Sequence, residues 1–304
     1  MKFIKTRNSS QNKTEVIEFE GGEKLSLQIP AVSPNCQKRM FAFSLHKSGS
    51  TLMTKMLKQY LGLIGAAYLD LPGAVFTEGL LLNKIITSSV AGIFERSGIC
   101  FLGWRNFPGC LNDVNFTSSK NILLVRDPRD RIVSSYFSLS KSHIIPQKGA
   151  GKNVLSKERE RVLNADVDTF AKERIGWISG PMNIYHRYLP AISTRIYRYE
   201  DVIFRKKEWL EDMIYYLELP INENIIDKVA KENDILPDAE NPEAHIRQVK
   251  PGNYKKYLSN RVLKDIESSL SQIFKKYDYH NSEQFGHRLI FAKEGIEARQ
   301  ILNL

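Results

Sequence analysis

The sequence predicts an α/β fold, a central and mostly parallel sheet flanked by helices, preceded by a small β-hairpin. Three observations predict it. Short, nearly continuous apolar runs at residues 40–45, 99–104 and 121–125 read as strands buried on both faces. Other segments place apolar residues at helical spacing. Strands and helices alternate along the chain, which implies a sheet covered on both sides.

The elements follow in order. Residues 16–20 and 24–29 alternate apolar and polar around Gly21-Gly22, which is hairpin chemistry. Pro30 and Pro34 then interrupt the chain. The expected division is an N-terminal hairpin extension at 1–38, the main domain at 39–280 and a C-terminal extension at 281–304 that packs on or beside it. After the strand at 40–45, Leu52, Met53, Met56, Leu57, Tyr60 and Leu61 recur at helical spacing until Gly62. Strands at 99–104 and 121–125 lead to a helix over 129–140, with Ile132, Val133, Tyr136 and Phe137 on one face. Residues 141–165 are polar and contain Gly149 and Gly151, so a mobile loop or lid is expected. A short strand at 194–199 and a helix at 206–217 follow, ended by Leu219-Pro220. Asn222 caps a helix carrying Ile225, Ile226 and Val229, and Ser259 caps one carrying Val262, Ile266, Leu270, Ile273 and Tyr277.

Composition narrows the function. Lys plus Arg exceed Asp plus Glu by 44 to 34, a balance suited to an anionic partner. The basic residues are scattered and no nucleic-acid-binding signature is present, which argues against nucleic acid as the main ligand. Cys36, Cys100 and Cys110 form no CxxC pair, which argues against a disulfide framework or a zinc site. The N-terminus lacks the apolar core of a signal peptide. The apolar stretches at 61–76 and 80–94 are broken by Asp70, Pro72, Asn83 and Lys84, so neither reads as a membrane span. A cytoplasmic protein without membrane or metal is expected.

Two segments carry the chemistry. In "FAFSLHKSGSTL" a buried strand ends in His46-Lys47-Ser48-Gly49-Ser50-Thr51 and a helix begins. Such a junction offers unpaired N–H groups and the positive end of a helix dipole to an anion. Gly49 lets the backbone approach, the hydroxyls donate, and Lys47 supplies a charge. Lys47 precedes the glycine, so this is not the GxxxxGK(S/T) loop of ATP-binding proteins. In "NILLVRDPRDRIVSSYF" a second buried strand runs into Arg126, with Pro128 suited to the first turn of the helix beyond. An arginine at a strand's carboxyl end stands where α/β sheets bind ligands, and its fork suits phosphate.

Together the two segments resemble the sulfotransferases that use 3′-phosphoadenosine 5′-phosphosulfate (PAPS). That family carries a P-K-(S/T)-G-(S/T)-(S/T) loop for the 5′-phosphosulfate and an R-(D/N)-P-(R/K)-D motif whose Arg, with a later Ser, holds the 3′-phosphate. The matching residues are Lys47, Ser48, Gly49, Ser50 and Thr51, then Arg126 to Asp130 with Ser134. Arg198-Tyr199-Glu200-Asp201 is similar to the family's RYED, whose Tyr lies against the adenine. Arg247 with Gly252, Asn253 and Tyr254 resembles the R-x-G-x-x-G-D-W segment that closes over the 3′-phosphate. The resemblance implies a P-loop-like fold, PAPS as co-substrate, PAP as product and a small-molecule acceptor, with the loop and composition resembling natural-product tailoring enzymes. The rival readings are a nucleotide kinase of P-loop ancestry and a non-catalytic PAP- or PAPS-binding protein.

The departures bear on catalysis. His46 stands for the usual Pro, Leu52 for an aromatic, Val249 for a Gly and Tyr254 for the Trp. Many members place a catalytic His in K-T-H-x-P at a strand end, but here the chain reads Trp104-Arg105-Asn106-Phe107-Pro108. Lys47 is the expected partner of the leaving oxygen. Glu78 is the first candidate for general base, by likeness to members that use a Glu, and also reads as an acid at a helix start. His143 and His186 are the alternatives, while Trp104, Trp177 and Tyr185 are candidate acceptor walls or core.

Overall fold

The computed structural model describes residues 12–32, 36–235 and 249–279. Strands β1 (Lys13–Glu18) and β2 (Lys24–Ile29) form the antiparallel hairpin. Its Ile17, Phe19, Leu27 and Ile29 are buried in the same apolar cluster as Phe41 and Phe43 of the main sheet. A two-stranded hairpin is marginal by itself, and this shared core supplies its support.

The main domain then alternates strands and helices. Strand β3 (Arg39–Ser44), helix α1 (Ser50–Leu63), strand β4 (Ala67–Leu69) and helices α2 (Leu71–Thr77) and α3 (Ala91–Phe94) come first. Strands β5 (Ile99–Trp104) and β6 (Ser119–Val125) lead to α4 (Pro128–Phe137), α5 (Gly149–Leu163), α6 (Val167–Glu173) and α7 (Ile175–Tyr188). Strand β7 (Thr194–Arg198) is followed by α8 (Tyr199–Val202), α9 (Lys206–Tyr216) and α10 (Glu223–Asn233). Helices α11 (Tyr254–Tyr257), α12 (Asn260–Ser269) and α13 (Ser271–Lys276) complete the described chain.

The five main strands are all parallel and run in the order β4-β5-β3-β6-β7. Every residue of the central β3 is buried. Its Phe41 and Phe43 join one apolar cluster and Met40 and Ala42 the other, so alternate side chains feed opposite faces. Helices α1, α9 and α10 cover one face, and α4, α6, α7, α12 and α13 contribute to the other. The caps expected at Asn222 and Ser259 are present: their side chains accept from Ile225 N and Val262 N.

Three local expectations are corrected. Residues 141–165 are not a loop, because α5 occupies most of the segment. Its strong helix formers from Ser156 onward carry the helix, while the two glycines sit in its first turn. Helix α1 passes through Gly62 and turns at Gly65, which has φ 69°. The helix expected to reach residue 140 ends at Phe137 and widens into a π turn at Ser138–Ser142. Among the described residues no helix is long and apolar enough to cross a membrane. Cys36, Cys100 and Cys110 are buried free thiols.

Candidate active site

The site is built at the carboxyl ends of the parallel strands. At the end of β3 the Ser44 hydroxyl donates to Trp104 O at 2.7 Å and ties the strand to β5. The chain then bends sharply, with Lys47 at φ 65° and Gly49 at φ 87°. Lys47 pays a conformational penalty that glycine escapes, and strain of this kind concentrates at functional turns. Gly49 is required twice over, since a Cβ there would also lie 2.9 Å from a ring carbon of Tyr199. Helix α1 begins with no side-chain cap and no acid in its first turn, which leaves its N-terminal N–H groups and dipole for an anion.

The second motif divides its labour. Asp127 caps α4 by accepting from Arg129 N at 2.8 Å. Arg129 is structural: it pairs with Asp127 and Glu267 at 2.6 Å each and lies over the Tyr254 and Phe274 rings. Arg126 lies 4.3 Å over the Tyr199 ring, donates to Lys47 O at 3.3 Å and stands 3.6 Å from Asp130. The Tyr199 hydroxyl in turn donates to Val249 O at 2.9 Å. Asp130 accepts from Gly252 N at 2.7 Å and Tyr254 N at 3.0 Å, fixing the late segment to α4.

The ends of the two motifs open on one cavity of about 670 Å³. Its wall includes Lys47, Gly49, Ser50, Thr51, Arg126, Ser134 and Tyr199, together with His46, Asp70, Arg105 and His143. An apolar set completes it: Pro72, Val75, Phe76, residues 80–82, Phe137, Ile144, Pro146, Val154 and Leu155. The cavity thus joins a cationic, hydroxyl-rich set of residues to a greasy one. The family model of the sulfotransferase domain matches residues 108–278, more than half of the chain.

The chain belongs to the sulfotransferase domain family. That match includes Arg126, Ser134 and Tyr199 and begins after the Lys47 loop. A mouse sulfotransferase crystallised with PAP has a similar fold, with 11% identity over 86% of this chain and 95% of that one and a TM-score of 0.54. A sulfotransferase from Alicyclobacillus acidocaldarius is 15% identical over 79% of this chain and 95% of that one, with a TM-score of 0.44. No curated protein matches the sequence.

The sulfotransferase does not bring all the expected site residues together. Ser48 is fully buried and its hydroxyl has no hydrogen-bond partner, so it faces inward and not the cavity. Gly252, at φ 83°, is held by Asp130 and does not line the wall. Arg247 lies outside the described residues. Glu78 is at the C-terminal end of α2, not at a helix start; its carboxylate pairs with Lys148 at 2.6 Å, and neither residue lines the cavity. His186 is exposed on α7 and also does not line the cavity; slight desolvation and the nearby Lys276 lower its pKa. His143 does line it. Trp104 and Tyr185 are fully buried core, whereas the Trp177 ring lies 6.0 Å from that of His46.

Sequence reading missed two polar members of the wall. Asp70, read only as a break in an apolar run, caps α2 and pairs with Lys58 at 2.5 Å. Arg105, which stands where a catalytic His was sought, donates to Thr51 Oγ1 at 3.3 Å. The apolar wall was missed as well. Part of it is α5, held to the loop after α2 by a clasp of main chain in which Gly151 N donates to Gly79 O at 2.9 Å. Among the described residues no group of three or more His, Cys, Asp or Glu side chains could hold a metal.

Proposed function

We propose that this sulfotransferase moves a sulfuryl group from PAPS to a hydroxyl or amine of a small-molecule acceptor and releases PAP. The observation that carries the reading is that the Lys47 loop and the Arg126–Ser134 pair, far apart in sequence, line one cavity. In this reading the N–H groups of α1 with Ser50 and Thr51 receive the 5′-phosphosulfate, with Ser48 and Gly49 shaping the turn. Arg126 and Ser134, with Arg247 and the Gly252 segment, receive the 3′-phosphate, and Tyr199 lies against the adenine. Transfer is an in-line displacement in which the protein positions the partners and stabilises charge on the bridging oxygens. Lys47 meets the leaving oxygen.

The apolar wall favours an acceptor with an apolar body and a hydroxyl directed at Lys47. The three buried free thiols suit a reducing, cytoplasmic setting. Incubation with labelled PAPS and a panel of alcohols and phenols, with and without EDTA, tests the reading. Label transfer that survives EDTA is expected. Transfer dependent on ATP and Mg²⁺ would favour a kinase, and PAP binding without turnover would favour a simple binder. Lys47→Ala is expected to lower turnover by roughly a hundredfold or more, the scale of removing one preorganised donor, while PAP affinity changes far less.

A further inference from the structure

The residue that accepts the acceptor's proton is the unassigned part of the site. Three groups on the cavity wall have suitable chemistry: Asp70, His143 and His46. Asp70 is committed, accepting from Gly73 N at 2.7 Å and pairing with Lys58 at 2.5 Å. Arg105 occupies the strand end after β5, and a guanidinium does not surrender its proton near neutral pH.

His46 directly precedes Lys47, so it lines the cavity one residue from the ammonium assigned to the leaving oxygen. Its main-chain carbonyl accepts from Arg131 Nε at 2.9 Å, and its ring stands beside Trp177. The charged and titratable groups facing it are Arg105 from the end of β5, Arg131 from α4, Lys47 from its own loop and His143 from beyond the π turn. Burial first, then the Arg105, Arg131 and Lys47 cations, holds the imidazole neutral with its pKa pushed down to about 3. The ring is therefore neutral but only weakly basic in the unliganded chain, and the role requires that bound donor raise its basicity.

We propose that His46 is the general base of the transfer reaction, taking the proton of the acceptor hydroxyl. The assignment rests on the sulfuryl-transfer reading above. A lone pair of the acceptor oxygen forms the new O–S bond. The bond from sulfur to the bridging oxygen of PAPS breaks, and its electron pair stays on the 5′-phosphate of PAP beside Lys47. The hydroxyl proton moves to a ring nitrogen of His46 and passes to water after product leaves. The sulfate and phosphates of bound PAPS offset the cations, the smaller of the two causes, so basicity rises when PAPS is bound although the burial remains.

Histidine NMR of the wild-type enzyme with and without PAP, together with pH profiles of His46→Gln and His143→Gln, tests this. The His46 ring is expected to titrate well below the ordinary histidine range and to move up by about one pH unit or more with PAP. His46→Gln is expected to lower kcat by roughly a hundredfold to ten-thousandfold and to erase the acid limb of the kcat profile. Its PAP affinity by calorimetry should stay within a few-fold, and His143→Gln should retain the limb. Two results would overturn the assignment: an acid limb that survives in His46→Gln or is lost in His143→Gln, or a His46 titration that ignores bound PAP. The ring titration decides the matter even where the His46 variant does not fold. Failure of the wild type to bind PAP would instead overturn the donor reading, and the base with it.

Discussion

The carboxylate of Asp130 accepts the backbone N–H of Gly252 at 2.7 Å, across 122 positions of sequence. The bond fixes the segment that follows residue 248 to the helix that also carries Ser134, and the same carboxylate stands 3.6 Å from Arg126. A motif residue without a ligand of its own thereby positions the two sides of the proposed 3′-phosphate site.

Asp130→Ala is therefore expected to act on both stability and donor binding. It strips partners from two backbone N–H groups, Gly252 and Tyr254, and from a buried guanidinium. A loss on the order of 2–3 kcal/mol in urea unfolding is expected from buried polar groups left unpaired. PAP affinity measured by calorimetry should fall at the same time. Unchanged stability would remove Asp130 from this role.

Arg126→Ala is expected to raise the Michaelis constant for PAPS about a hundredfold, the scale of losing charge-assisted hydrogen bonds. It should also erase the preference for PAPS over an analogue lacking the 3′-phosphate. Arg126→Lys is expected to recover only part of the loss, since an ammonium keeps the charge and not the fork. Binding of the two nucleotides by calorimetry checks both outcomes.

Glu200 gives a pH prediction. Its carboxyl is buried, accepts from Asp127 N at 2.8 Å and meets the Tyr279 hydroxyl at 3.3 Å. Burial and then the nearby Asp127 carboxylate raise its pKa from 4.5 to about 8. Between those values the folded chain holds a proton that the unfolded chain releases, so this group makes stability fall as pH rises through the window. Thermal unfolding of Glu200→Gln should show a smaller drop in Tm from pH 5 to pH 8 than the wild type, both values bracketing most of the titration.

Gly79→Ala tests the clasp. Gly79 has φ 70°, and a Cβ there would lie 1.9 Å from Lys148 O. The backbone must part or twist, at an expected cost of about 1–3 kcal/mol. Because the cavity wall formed by α5 depends on that contact, the acceptor's Michaelis constant should rise more than the donor's. Equal effects on both would place the contact outside acceptor binding.

The cationic part of the candidate site was legible because its chemistry is local. Lys47 to Thr51 and Arg126 to Ser134 each form a strand end, a turn and a helix start within a few residues, so sequence order preserves their geometry. The central strands were legible for a similar reason, being short runs buried on both faces. The rest of the cavity wall was not. Asp70 and Phe76 reach the cavity from α2 and its cap, Arg105 from the end of β5, and Val154 and Leu155 from α5. Only the tertiary arrangement unites them. Helix α5 was misread because its two buried residues, Gly151 and Val162, leave no apolar stripe to betray a helix. Glu78, singled out by likeness to family members that use a Glu, pairs with Lys148, a contact between side chains 70 positions apart that sequence does not display.

The Gly79–Gly151 clasp has an evolutionary consequence. Its hydrogen bond is main chain to main chain, and both residues lack a side chain, so the spacing between α2 and α5 does not depend on what the rest of α5 displays. Exchanging Val154 or Leu155 alters the surface offered to an acceptor without disturbing that spacing. The cationic part has no such freedom, because Gly49 and Arg126 both pack closely against the Tyr199 ring. A descendant of this enzyme can therefore inherit its sulfuryl donor intact while trading one acceptor for another.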